Sequence, residues 1–179
     1  MKIGYLSLAL LALPVHAADQ AIAVTATRDP EWKSYRAFVA GMDAFQSSRT
    51  LAPAASLKFI LRPYGRAELP ADITLRIRGD TVSIPVAIAA DRTFVIERHQ
   101  AASDDDADMV LNQKKGAVRW RPDIRSDGVP PAMRRLGDLR LECAVRGAIE
   151  HNEMPMFAQK VLRALNDPCR SQLVRVAYY

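Results

Sequence analysis

The sequence predicts a mainly β protein, an antiparallel β-sandwich with one helix before it and one helix after it. Short segments in which apolar and polar residues alternate follow one another from residue 57 to residue 145, with turn residues between them. A parallel sheet would need strand and helix patterns that alternate regularly, and this sequence lacks that alternation. The chain has 179 residues, 49% of them hydrophobic and 25% charged, which is typical of one globular domain.

Residues 1–17 have the pattern of a secretory signal peptide. Lys2 provides the positive start, residues 5–14 are apolar, and Val15-His16-Ala17 ends in the small-x-small pattern of a cleavage site. The apolar stretch is much shorter than the roughly 20 residues that span a bilayer, which argues against a retained anchor. We therefore expect residues 18–179 to form a single periplasmic or secreted domain with no membrane span after cleavage.

A helix is predicted to begin at Asp29-Pro30-Glu31, after a short strand over residues 21–27. Asp29 is a suitable N-cap, Pro30 fits the first helical position, and Glu31 places an acid in the first turn. Apolar residues then recur at helical spacing, which predicts that one face packs into the core. These residues are Trp32, Tyr35, Phe38, Val39, Met42 and Phe45.

Seven strands are predicted next, from their period-two alternation. The first three cover residues 57–62, 73–78 and 82–88; Gly79-Asp80 forms the turn between the second and third, and Pro85 places the third at a sheet edge or bulge. The others cover residues 94–96, 109–112, 117–121 and 139–145, with Lys114-Lys115-Gly116 as a hairpin connection. Trp120, in the middle of a strand, is expected in the core.

The C-terminal helix is predicted to open at Pro155 and to stop at Asp167-Pro168, before a last strand over residues 173–179. Cys143 and Cys169 are the two cysteines of the chain. In an exported protein such a pair is expected to form a disulfide. The alternative, a catalytic thiol, lacks a Cys/His signature around either position.

The acidic loop offers a weak alternative as a cation site. Asp104, Asp106 and Asp108 alternate as in a calcium loop, but Met109 and Lys115 stand where an EF-hand needs Gly and Glu. We interpret the loop as solvated. The chain contains no metal-ligand spacing, P-loop, dinucleotide fingerprint or nucleophile elbow, so we predict no cofactor and no enzymatic activity.

An arginine-rich segment gives the main binding hypothesis. Its cations are Lys114, Lys115, Arg119, Arg121, Arg125, Arg134, Arg135 and Arg140. Guanidinium groups bind carboxylate or phosphate in bidentate fashion, and we select Arg121, Arg125 and Arg135 as candidate binding residues. Arg119 and Arg121 are expected opposite Trp120, whereas Arg125 and Arg135 are expected on a proline-bounded loop. The alternative is structural: strand arginines pair with neighbouring acids such as Asp123 or Asp138.

A family resemblance rests on three motifs: Trp120-Arg121-Pro122, Gly128-Val129-Pro130 and the run from Arg135 to Cys143. They resemble a group of uncharacterised exported proteobacterial proteins, some of which are similar to carboxypeptidase regulatory-like (prealbumin-like) β-sandwich proteins. The resemblance covers residues 57–143. It implies a sandwich fold and export, and no activity.

These observations predict an exported, envelope-associated binding or accessory protein without enzymatic activity. The expected partner is an anionic envelope component or another exported protein; the net charge of +5 is too small for a dedicated nucleic-acid binder. The alternative function is an inhibitor or immunity-type protein that blocks a periplasmic or secreted enzyme with the loops near Asp104 and Arg125.

Overall fold

Two antiparallel sheets and three helices make up the described part of the chain, residues 27–65, 68–130, 132–154 and 169 of a computed structural model. In chain order the elements are β1 (Pro30–Ser34), α1 (Tyr35–Ser47), a 3-10 turn (Arg49–Leu51), β2 (Ala55–Pro63), β3 (Leu75–Arg78), β4 (Ser83–Val86), β5 (Thr93–Phe94), α2 (Gln100–Asp104), β6 (Asp108–Lys114), β7 (Val118–Ser126) and α3 (Leu136–Glu153).

One sheet has the strand order β1-β6-β3-β4 and the other the order β5-β2-β7. The predicted turn between β3 and β4 is confirmed, with the Gly79 N–H donating to the Val82 carbonyl at 3.0 Å. Pro85 lies on β4, which is an edge strand as predicted. A proline is tolerated there because an edge strand leaves half of its N–H groups outside the ladder.

The sheets and helices share one hydrophobic core. Alternate residues of the strands point into it, among them Phe59 on β2, Ile77 on β3 and Met109 on β6. Phe38 of α1 reaches between the layers, with its ring 5.1 Å from the Phe59 ring and 5.6 Å from the Trp120 ring. The aromatic residues of α1 are therefore packing residues.

The predicted start of the first helix is wrong. Residues Pro30–Ser34 form β1, which pairs with β6, and the helix begins at Tyr35. Asp29 has a φ of 56°, which is not the backbone conformation of an N-cap. Ladder hydrogen bonds to β6 outweigh the local capping signals. Consequently Trp32 lies on a strand and is 48% exposed, instead of contributing to the core.

The predicted strand over residues 139–145 is also wrong, because these residues belong to α3. Leu141, Val145 and Ile149 recur every four residues and are buried. Leu141 and Val145 fit the two-residue spacing of a strand as well as the four-residue spacing of a helix, which explains the wrong prediction. The described fold is therefore a mixture of α and β structure.

The predicted hairpin at Lys114-Lys115-Gly116 is only half right. The turn exists, with the Ala117 N–H donating to the Lys114 carbonyl at 3.0 Å and Gly116 at a φ of 78°. However, β6 and β7 belong to different sheets, since β6 pairs with β1 and β3, while β7 pairs with β2 along its whole length. The turn thus carries the chain from one sheet to the other.

Four predicted segments lie mostly or wholly outside the described residues: the signal peptide, the first short strand, the helix from Pro155 and the last strand. Within the described ranges, no helix is both long enough and apolar enough to cross a membrane. The disulfide prediction is confirmed: Cys143 on α3 is bonded to Cys169, with a Cα separation of 5.5 Å. A disulfide is compatible with a compartment outside the cytoplasm.

Candidate functional site

Strand β7 separates its side chains into a core-facing row and an outward-facing row. Trp120 lies opposite Leu61, and Pro122 lies opposite Phe59, on the side that meets the core. Trp120 is partly buried there, and its indole Nε1 donates to Glu31 Oε1 at 3.1 Å. Because successive strand residues point to opposite sides, the odd-numbered residues of β7 share the outer side.

The outer side of β2 and β7 forms a surface that we call the basic face. The register places Arg62 opposite Arg119, Ile60 opposite Arg121, Lys58 opposite Asp123 and Ser56 opposite Arg125. Tyr64 continues the outward row of β2 and is 52% exposed. On β2 and β7 the basic face thus carries five cations and one carboxylate.

At one end of the basic face the charges are paired with each other. The Arg125 Nε donates to Asp123 Oδ1 at 3.2 Å, and Lys58 lies opposite Asp123 on the neighbouring strand. Asp91 lies close by: hydrogen bonds from the Thr93 side chain and backbone, together with the charge of Lys58, hold the pKa of Asp91 below its ordinary value. This end is therefore largely neutralised by the protein itself.

At the other end the arginines have no anionic partner in the described part of the chain. The Arg119 guanidinium lies over the Tyr64 ring, with its Cζ atom 4.2 Å from the ring centroid. The Nε atom of Arg119 is buried and, within the described residues, has no hydrogen-bond partner. Arg62 directly opposes Arg119, and no ion pair joins Arg62 or Arg121 to any described residue.

The structure brings together two of the three predicted binding residues. Arg121 and Arg125 lie on the same side of β7, with Arg125 in the strand instead of on the predicted loop. Arg135 is exposed in the extended segment before α3 and is not part of the basic face. Sequence analysis missed Arg62 and Tyr64 as site residues, because the β2–β7 pairing that places them beside Arg119 is a long-range contact.

Helix α3 holds the free edge of β7. The Ile124 N–H donates to Glu142 Oε1 at 2.8 Å, and the Ser126 N–H donates to Asp138 Oδ2 at 3.0 Å. The Ser126 hydroxyl donates to Asp138 Oδ1 at 2.7 Å. Arg134 pairs with Glu142 and also donates to the Ile124 carbonyl at 2.9 Å. The structural alternative, in which strand arginines pair with acids such as Asp123 or Asp138, therefore holds for Arg125 and Asp123. It does not hold for Asp138, which bonds Ser126.

The acids of the loop at residues 104–108 do not converge on one point. Asp104 accepts a hydrogen bond from Gln100 at 2.8 Å, Asp106 pairs with Arg36 at 3.0 Å, and Asp108 begins β6. Asp105, in contrast, accepts hydrogen bonds from backbone N–H groups of the β3–β4 turn. Among the described residues no three His, Cys, Asp or Glu side chains are placed to hold a metal ion. The alternative of a weak cation site gains no support from this geometry.

Two small cavities accompany the core. One of about 170 Å³ is lined by residues of α1 and β2 together with Ile96 and Arg98. The other, of about 40 Å³, lies beside Trp120 and Arg121. Both are smaller than the roughly 300–1,000 Å³ typical of pockets that enclose a small molecule. The best candidate site is therefore the basic face, which is a surface.

Comparison with known proteins found no matching family model, no matching curated protein and no matching solved structure. The resemblance over residues 57–143 stays a prediction.

Proposed function

We propose that this protein is an exported, envelope-associated binding protein without enzymatic activity, and that it holds an anionic envelope component on the basic face. The observation that carries the proposal is the excess of cations on the outer side of two paired strands, where Lys58, Arg62, Arg119, Arg121 and Arg125 stand against one carboxylate, Asp123. A surface of one charge sign attracts ligands of the opposite sign and orients them on approach.

The shape of the basic face favours an extended ligand over a compact one. Outward side chains on one strand recur about every 6.8 Å, and the cations occupy two such rows, with Ile60 between Lys58 and Arg62 and Asp123 between Arg121 and Arg125. A polymer with regularly spaced negative groups would contact several cations at once. Such multiple contacts raise the overall affinity even where each single contact is weak.

Retention on isolated cell-envelope material at increasing salt concentration tests the proposal. Replacing Arg121 and Arg125 together with alanine should lower the salt concentration that elutes the protein, because surface electrostatic attraction is screened by salt. The thermal midpoint should change little, because both side chains lie on the surface side of the sheet.

The matched control is the double variant Arg76→Ala/Arg78→Ala. It removes the same charge from two outward positions of β3, which belongs to the other sheet. Equal elution of the two double variants would contradict a role for the basic face. Retention of the wild-type protein by one exported protein in 1:1 stoichiometry would instead support the inhibitor alternative.

A further inference from the structure

We infer that Arg62, Arg119, Arg121 and Tyr64 form a phosphate-binding subsite, which we call the arginine corner. The inference rests on the proposed function and names the chemistry that this face prefers: phosphate groups over carboxylates. The ligand would be a phosphorylated envelope component, and the arginine corner would contact its phosphate oxygens.

The first argument is the cross-strand pair of Arg62 and Arg119. The register places these two residues directly opposite each other on the same side of the sheet. Like charges in this position destabilise a sheet, whereas opposite charges stabilise it. An anion bound between the two guanidinium groups would remove the repulsion. The pair is therefore more favourable with an anion bound than without one.

The second argument is the position of Arg119. Its Cζ atom lies over the Tyr64 ring, 4.2 Å from the centroid, which is a cation–π contact. Such a contact uses the charge of the guanidinium and none of its N–H donors, so it does not compete with an anion for hydrogen bonds. The contact with Tyr64 restricts the guanidinium and so reduces the entropy lost on binding an anion.

The third argument is the absence of a competing acid among the described residues. Both carboxylate oxygens of Glu31 are used, by the Gly116 N–H at 2.7 Å and by the Trp120 indole. Asp91 binds Thr93, and Asp123 binds Arg125 at the opposite end of the face. Glu150, which lines the same small cavity as Arg121, is paired with Arg146 at 2.6 Å. Among the described residues no ion pair joins a carboxylate to the arginine corner.

The fourth argument concerns the number of arginines. One guanidinium satisfies a carboxylate, as Arg125 does for Asp123. A phosphate monoester carries about −1.5 to −2 charges at pH 7 and three strong acceptor oxygens, so it can engage several guanidinium groups together. Three arginines on one side of two paired strands, two of them directly opposite each other, thus match phosphate better than carboxylate.

The test compares retention of the purified protein on immobilised poly-L-phosphoserine, whose side chains are phosphate monoesters, and on immobilised poly-L-glutamate at matched charge. The wild-type protein should need a higher salt concentration to elute from poly-L-phosphoserine. Arg119→Lys keeps the charge but loses the planar fork of N–H donors. It should bind poly-L-phosphoserine about 10-fold more weakly, with only a small change on poly-L-glutamate, because the bidentate contact is what the phosphate uses.

Arg62→Lys provides a second variant at an exposed position, in case replacement of the partly buried Arg119 impairs folding. Arg76→Lys on the other sheet is the matched control and should behave like the wild-type protein. Competition with inorganic phosphate and with phosphatidic acid vesicles distinguishes the two sources of phosphate. Stronger competition by inorganic phosphate indicates a free phosphate, and stronger competition by the vesicles indicates a lipid headgroup. No retention on either polymer would contradict the proposed function as a whole. Equal retention on both, unaffected by Arg119→Lys, would overturn only the phosphate assignment.

Discussion

Two acidic residues of α3 take the place of a neighbouring strand. Strand β7 lies at the edge of its sheet, and its outward-directed N–H groups at Ile124 and Ser126 need acceptors. Glu142 and Asp138 provide them, four residues apart on one face of the helix. The end of this edge at Ile124 and Ser126 is thereby satisfied and protected from pairing with another chain.

The first prediction concerns Asp138, which is 1% exposed. Asp138→Ala should lower the free energy of unfolding by about 1–3 kcal/mol, because it leaves the buried Ser126 N–H without an acceptor. Urea denaturation measures the change. Ser126→Ala is the control: it removes the hydroxyl but keeps the backbone bond to Asp138, so it should cost less. Equal losses would contradict the role of the backbone hydrogen bond.

The second prediction concerns the pH dependence of Glu142. Burial raises the pKa of this carboxyl, and the Ile124 N–H and Arg134 oppose the rise without cancelling it. The folded state therefore holds the proton more tightly than the unfolded state. The resulting contribution to stability is fully present below the unfolded-state pKa and is lost as pH rises through the folded-state pKa.

Urea unfolding at a series of pH values, from below the unfolded-state pKa of Glu142 to above its folded-state pKa, tests the prediction. Glu142→Gln should abolish the part of the pH dependence that Glu142 causes. Glu150→Gln removes a carboxylate from the same helix, where Glu150 is paired with Arg146, and is the matched control. An unaltered profile for Glu142→Gln would show that another group is responsible.

The sequence alone predicted which side of the sheet the β7 side chains face. It did not predict which residues of β2 lie opposite them. With Trp120 on the core side, the alternation put Arg119 and Arg121 on the other side, and the register agrees. The position of Arg62 opposite Arg119 depends on which strands pair and in which register. Such pairing joins residues far apart in the chain and is set by the whole core, so no local pattern contained it.

At the scale of elements, errors arose where two periodicities fit the same residues. Leu139, Leu141, Cys143 and Val145 alternate like a strand, yet Leu141 and Val145 are also four apart on a helix. Good helix formers such as Ala144 and Arg146 surround them, and the helix forms. At β1 the tertiary pairing with β6 overrode good local capping residues. The predicted strands at residues 57–62, 73–78, 82–88, 109–112 and 117–121 correspond to β2, β3, β4, β6 and β7, whereas the one predicted at residues 94–96 shares only Phe94 with β5.

The third prediction uses two glycines of α3 that have opposite surroundings. A Cβ atom on Gly137 would lie 2.0 Å from the Leu51 carbonyl oxygen, which is backbone, whereas a Cβ on Gly147 would meet nothing within 4 Å. Gly137→Ala should destabilise the protein by about 1–3 kcal/mol, because the helix must move away from the 3-10 turn. Gly147→Ala should stabilise it by about 0.5–1 kcal/mol through helix propensity.

Thermal unfolding of the two variants is the measurement. The comparison separates close packing of α3 from its intrinsic helix propensity, since both substitutions are identical and lie in one helix. Destabilisation by both variants to the same extent would contradict the close approach of Gly137 to Leu51.

For the whole molecule, the fourth prediction is that the exported protein begins at Ala18 or Asp19. The motivation is the sequence Val15-His16-Ala17 after a short apolar run. Intact-mass measurement of the exported protein gives the answer. A mass that includes residues 1–17, found in the membrane fraction, would contradict cleavage and would leave the protein with an N-terminal anchor.

The last prediction concerns the bond between Cys143 and Cys169, which closes a loop with a sequence separation of 26. In the chain-entropy model, a loop of this size lowers the entropy of the unfolded chain by an amount worth about 3.5 kcal/mol. The double variant Cys143→Ala/Cys169→Ala should therefore lose stability of this order in urea denaturation. Thiol labelling of the unfolded, unreduced wild-type protein should find no free cysteine, and two reactive thiols would contradict the bond.

The same double variant also tests how far the bond supports the binding surface. Cys143 directly follows Glu142 on α3, and Glu142 and Asp138 are the two acids through which this helix holds the edge of β7. Loosening α3 should increase hydrogen exchange at the Ile124 and Ser126 amides more than at β3, which packs in the other sheet. If hydrogen exchange increased equally in both sheets, the disulfide would stabilise the fold globally, without a particular effect on β7.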